Sequence, residues 1–176
     1  MKVTDLFHTK GCVAFEDAKR ILGEAEYATA RDMATAYLQG GGDWKLVVAT
    51  TVATLKRDTW WEIARVPFQP YLLPADVRKY ARSLCLQSWG AARYACDRVE
   101  RTAPTDSPQY AAARAARVAG AFGADVECMP QWDRRSRQRV AQQFAGYVAI
   151  ADQVGDGTTA KKVMAVIFEI LEEAAE

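Results

Sequence analysis

Five consecutive residues, Gly155-Asp156-Gly157-Thr158-Thr159, have the types and spacing to hold a phosphate. Glycines let a ligand approach the backbone, and unpaired N–H groups at the start of a helix attract an anion. The same residues also make an ordinary junction, in which Gly155 ends one helix while Asp156 or Thr158 caps the next. The junction is the favoured reading, because so short a motif recurs without its chemistry. The helix it feeds, 161–171, contains Val163-Met164-Ala165-Val166-Ile167-Phe168-Glu169-Ile170-Leu171, with one charge in nine residues. A helix apolar on nearly every side is normally wrapped by neighbours, so this one is expected at the centre of the fold.

The string Gly155 to Thr159 resembles the nucleotide-binding loop of the chaperonin family, where Gly-Asp-Gly-Thr-Thr also opens a helix. The resemblance covers about five residues of the 176. It implies a nucleotide-binding or hydrolysing role, with Asp156 near metal and phosphate and Gly157, Thr158 and Thr159 lining the phosphate.

A second constellation is Trp132-Asp133-Arg134-Arg135-Ser136-Arg137-Gln138-Arg139. Four arginines beside an aromatic ring can grip a nucleic-acid backbone or an acidic protein surface. They open a helix, where positive charge opposes the macrodipole by roughly 0.3–1 kcal/mol per charge. Glu169, Glu172, Glu173 and Glu176 crowd the end of the last helix, where negative charge is equally unfavourable. If 130–154 and 161–171 form an antiparallel pair, those two ends meet, and Arg137 and Arg139 are expected to face Glu172 to Glu176. Trp60 and Trp61 are a third candidate. Adjacent residues point about 100° apart on a helix, so burying both rings is difficult, and one can serve as a partner-binding anchor. Packing of both into the core is the commoner outcome.

Other chemistry is poorly supported. His8 is the only histidine, and there is no Gly-x-Ser-x-Gly elbow, Walker A loop, His-Glu-x-x-His or Cys-x-x-Cys. Cys12, Cys85, Cys96 and Cys128 lack zinc spacing, and no catalytic residue, metal or cofactor is assigned. Cys85 and Cys96 are separated by about 16 Å along one expected helix, too far to bridge. No secretion signal or transmembrane run is visible, so the chain is expected to be cytoplasmic with reduced thiols.

The elements that must position these groups read as helices. Alanine, the best helix former, numbers 32 against 10 leucines. Residues 3–8 suggest a helical turn. Phe15, Ala18, Leu22, Ala25, Thr29, Met33 and Ala36 recur at three- and four-residue steps, predicting one helix over 14–38, stopped by Gly40-Gly41-Gly42. Asp43 is a plausible cap for the next element. Residues 44–66 carry a helical stripe at Val48, Val52, Leu55, Thr59 and Ile63, although the β-branched run from Val47 to Val52 also allows a hairpin. Helix is favoured, since nothing else offers a sheet to join. Pro67, Pro70 and Pro74 mark a crossover at 66–74. Helices are then predicted over 74–102, 109–122 (opened by Ser107-Pro108, closed at Gly123), 130–154 and 161–171.

The whole is expected to be an all-α, single-domain bundle of five or six mostly antiparallel helices over 1–176, with the apolar C-terminal helix central. The overall charge is +1, unevenly spread: −1 over 1–76, +6 over 77–141 and −4 over 142–176. By elimination, the expected function is non-catalytic binding of another macromolecule. An inhibitor, immunity or adaptor protein of bacterial or phage origin fits, with another protein as partner. Nucleotide binding through Gly155–Thr159 and nucleic-acid binding through Arg134–Arg139 are the alternatives. The small-residue face over 77–99 equally allows a homodimer. Enzyme is the minority reading. Millimolar ATP or GTP with Mg²⁺ is expected to leave the melting temperature unchanged. A ligand of the folded state must raise it by mass action, and a rise abolished by Asp156→Ala would establish the nucleotide alternative.

Overall fold

The computed structural model describes residues 1–7, 13–54, 63, 66, 67, 70, 89–128 and 134–173. They form helices α1 (Val3–Leu6), α2 (Val13–Leu22), α3 (Ala30–Gln39), α4 (Trp44–Thr54), α5 (Trp89–Thr102), α6 (Pro108–Cys128), α7 (Arg134–Val154) and α8 (Thr159–Glu173). No strand occurs among the described residues, and no helix among them is long and apolar enough to cross a membrane.

The centre of the fold is α4. Every residue from Val47 to Ala53 is buried, including Thr50 and Thr51, so this helix has no solvent face over two turns. Helix α7 is its main partner, and α8 packs on it as well. Complete enclosure is the physical reason that a Val- and Thr-rich run forms a helix here: the helix is stabilised by packing all round it rather than by propensity. The helix reading therefore holds for 44–54. Most of the 66–74 crossover and the first half of the expected 74–102 helix lie outside the described residues.

The expectation that the C-terminal helix is central is corrected. Helix α8 buries Val163, Ile167, Ile170 and Leu171 at three- and four-residue steps, while Lys161, Lys162, Ala165, Glu169 and Glu172 are exposed. It is an amphipathic helix on the flank of the core. Few charges in a run do not by themselves enclose a helix, because Ala165 and the half-exposed Val166 can face water at little cost.

The predicted 14–38 helix is also two helices. Gly23, at φ +64, ends α2, and Thr29 caps α3 through a capping box. The Thr29 hydroxyl accepts from the Asp32 N–H at 3.0 Å, and the Asp32 carboxylate accepts from the Thr29 N–H at 3.2 Å. In the opposite sense, α6 continues through Gly123 to Cys128. Its start is as expected: the Tyr110 N–H donates to Ser107 Oγ at 3.2 Å, with Pro108 in the first helical position.

A buried tyrosine fixes the joint between α2, α3 and α4. The Tyr37 hydroxyl donates to Asp17 on α2 and accepts from the Asp43 N–H at 3.3 Å, while its ring lies 5.0 Å from that of Phe7. Asp43 in turn caps α4 by accepting from the Lys45 N–H at 2.9 Å. The glycine run has two roles here. Gly41 sits at φ +86, and a Cβ on Gly42 would lie 2.4 Å from the Tyr37 ring. The Tyr37 hydroxyl, followed by Arg20, holds the Asp17 carboxyl below its ordinary value, whereas burial and then Asp17 push the Tyr37 hydroxyl up.

Tyr37→Phe is expected to lower stability at neutral pH by about 1.5–3 kcal/mol, the net value of a hydrogen bond to a charged group. A depressed carboxyl contributes stability that is fully present above its unfolded value of about 3.9 and is lost as pH falls through the folded value. The difference between wild type and variant should therefore shrink below about pH 4 in urea melts.

Candidate functional site

The phosphate-loop residues form the α7–α8 junction. Gly157 takes a positive φ of 69°. The Thr158 N–H and hydroxyl both donate to Asp156 Oδ1, at 3.0 and 2.7 Å, and these bonds hold the exposed Asp156 carboxyl below its usual range. The Ala160 N–H at the start of α8 donates to Asp152 Oδ1 from α7 at 3.0 Å, and Thr159 is buried. Two carboxylates of the chain itself thus occupy the positive end of α8, and the Thr158 donors that a phosphate would use are engaged by Asp156. The geometry is that of the helix junction.

At the other end of α7, Arg134 and Arg135 stand in the first turn, with their backbone alone described. Arg137 is half-buried, with a buried Nε that has no acceptor among the described residues, and Arg139 is exposed. The expected pairing with the acidic end of α8 is corrected at Glu172, while Glu176 and the Glu173 side chain lie outside the described residues. Glu172 pairs with Arg31 of α3, whose guanidinium also lies 5.8 Å from the centre of the Phe168 ring. Among the described residues, neither Arg137 nor Arg139 has an acidic partner. The reason lies in the packing: α7 lies chiefly along α6 and α4, while α8 divides its contacts between α7, α4 and α3. The last turn of α8 therefore reaches α3 rather than the start of α7. Trp60, Trp61 and Trp132 lie outside the described residues, as does Glu176.

Sequence reasoning missed the densest polar cluster. Glu100 on α5, its side chain 10% exposed, accepts from Arg114 at 3.2 Å and from Arg117 at 2.9 Å, both on α6. Arg117 also lies 3.2 Å from Asp97. Arg114 reaches α7 as well, donating to the Tyr147 hydroxyl at 3.1 Å with its guanidinium 5.2 Å from the ring centre. The pairs 97/117 and 100/114 make α5 and α6 an antiparallel hairpin. A signal was present, since acids at 97 and 100 match arginines at 114 and 117 in the same i,i+3 spacing across a short loop. Beside the cluster, burial followed by the charges of Glu100 and Asp97 pushes the Cys96 thiol well up, which keeps it protonated and unreactive.

These ion pairs bind helices to one another. Among the described residues no group of histidine, cysteine and carboxylate side chains is arranged to hold a metal. Glu100→Ala is expected to cost about 1–3 kcal/mol in denaturant unfolding, because two partly buried guanidinium groups lose their shared acceptor. Comparison with protein-family models, curated proteins and solved structures gives no match to this chain.

Proposed function

We propose that the protein works by binding another macromolecule, and that the basic start of α7 is its contact surface for an acidic protein. The observation that carries this reading is that Arg137 and Arg139 have no acidic partner among the described residues, while Glu172, the first of the glutamates expected to face them, pairs with Arg31. Arg134, Arg135 and Arg137 stand in the first turn of α7, where positive charge opposes the dipole, so their position is better explained by an external anion than by the stability of α7. A protein surface is favoured over nucleic acid, because the chain as a whole carries only +1 and its acidic C-terminal part would repel a long polyanion. Inhibitor, immunity and adaptor proteins all work in this way, without chemistry of their own.

The test is co-purification from the source cell at low ionic strength, with wild type beside Arg135→Glu/Arg139→Glu. Wild type should retain a specific protein that the double variant loses. The variant should melt no lower than wild type, since acidic residues near a helix start are favourable by roughly 0.3–1 kcal/mol. A partner retained equally by both forms would place the contact elsewhere on the molecule.

A further inference from the structure

The outward face of α7 is continuous beyond its arginines. Phe144, Ala145, Val148 and Ala151 turn inward and are buried. On the opposite side, Arg139, Gln143, Gly146, Ile150 and Val154 follow one another at three- and four-residue steps. Ile150 and Val154 are 45% and 40% exposed, which makes them two of the few large apolar side chains that the described residues leave open to solvent. At the middle of this strip a Cβ on Gly146 would meet nothing within 4 Å. A second helix can approach closely at that point. The strip spans about 22 Å at ~1.5 Å per residue.

Its two ends are complementary in charge. The Arg139 end is cationic, and Arg135 lies one turn earlier. The other end has the negative pole of the α7 dipole and the exposed carboxylate of Asp156, of which Thr158 uses only Oδ1. Gly146 lies almost midway between Arg139 and Val154. We infer that this face pairs with the same face of a second copy of the chain, two α7 helices crossing antiparallel about a twofold axis at Gly146. Such a pairing sets Arg139 level with position 153 of the second copy, beside the negative end of the partner's α7, and the partner's Asp156 follows that end in the α7–α8 junction. Ile150 of each copy then lies level with Gln142 of the other, and Val154 level with Gln138. Each basic helix start meets a negative helix end, which removes the unfavourable charge placement twice. The inference rests on reading the outer face of α7 as a contact surface, and it names the partner as the chain itself. One helix pair is a small interface, so the dimer is weak and depends on concentration.

Sedimentation velocity of the full chain from about 10 µM to about 1 mM, in about 50 mM salt, should show a reversible monomer–dimer equilibrium. About 500 mM salt should weaken it roughly tenfold. Gly146→Glu has open space in the monomer but sets two like charges at the crossing point, and should abolish the dimer. Arg139→Glu and Asp156→Arg should each be monomeric alone. An equimolar mixture of the two should dimerise again, because both pairs across the twofold axis are then attractive. A chain monomeric throughout this range, or a dimer indifferent to Gly146→Glu and to the charge exchange, overturns the inference. A monomeric chain that still retains a host protein through Arg139 would overturn only self-pairing and leave the contact surface standing.

Discussion

The structure depends on the enclosure of α4. Its residues Val47 to Ala53 have no polar side to turn toward water, so the chain must place neighbours around the whole circumference. Fully burying a valine is worth roughly 1.5–3 kcal/mol, and Val47, Val48 and Val52 are all completely covered. Their sum is comparable to the net stability of a whole domain, about 5–15 kcal/mol. Helix α7 supplies the longest wall, α8 a second, and the Tyr37–Asp17–Asp43 joint fixes the angle at which α4 enters. Gly42 is part of the same constraint, since its missing side chain is what allows the chain to turn over the Tyr37 ring.

Away from α4 the packing is of a different kind. The α5–α6 contact is built from Ala92, Ala95, Ala111, Ala112, Ala113 and Ala116 with Cys96 and Val99, and Ala151 of α7 closes it. Side chains this small let helix axes approach closely, but they supply little shape to set the register. The Glu100–Arg114–Arg117 cluster supplies it with charge, matching 100 to 114 and 97 to 117. Arg114 then extends the same network to Tyr147, so one carboxylate orders three helices.

Helix α7 belongs to both regions and to neither surface alone. Its inner side is shared between α4 and α6, which leaves its outer side from Arg139 to Val154 without cover among the described residues. The flank position of α8 follows from the same arrangement. With α7 committed to α4 and α6, the last helix crosses toward α3, and Arg31 receives Glu172 and Phe168. Among the described residues the last turn of α8 therefore brings no carboxylate to Arg137 or Arg139.

The sequence by itself determined what is local. Alanine content and periodicity identify the helical class, and Asp43, Ser107-Pro108 and Gly155 to Thr158 mark their junctions correctly, because a cap is decided within four residues of chain. The capping box of Thr29 and Asp32 was equally legible, but a three-to-four-residue apolar rhythm runs across the break at Gly23 and hides it. Only the tertiary structure decided which helix is enclosed and which charges meet. Counting charges describes α4 and the run 163–171 in similar terms, one in eleven residues against one in nine, and enclosure comes from the neighbours that a helix acquires. Charge pairing likewise depends on distance in space: Glu172 was assigned to Arg137 and Arg139 through an assumed hairpin, and the path of α8 across the core gave it to Arg31 instead.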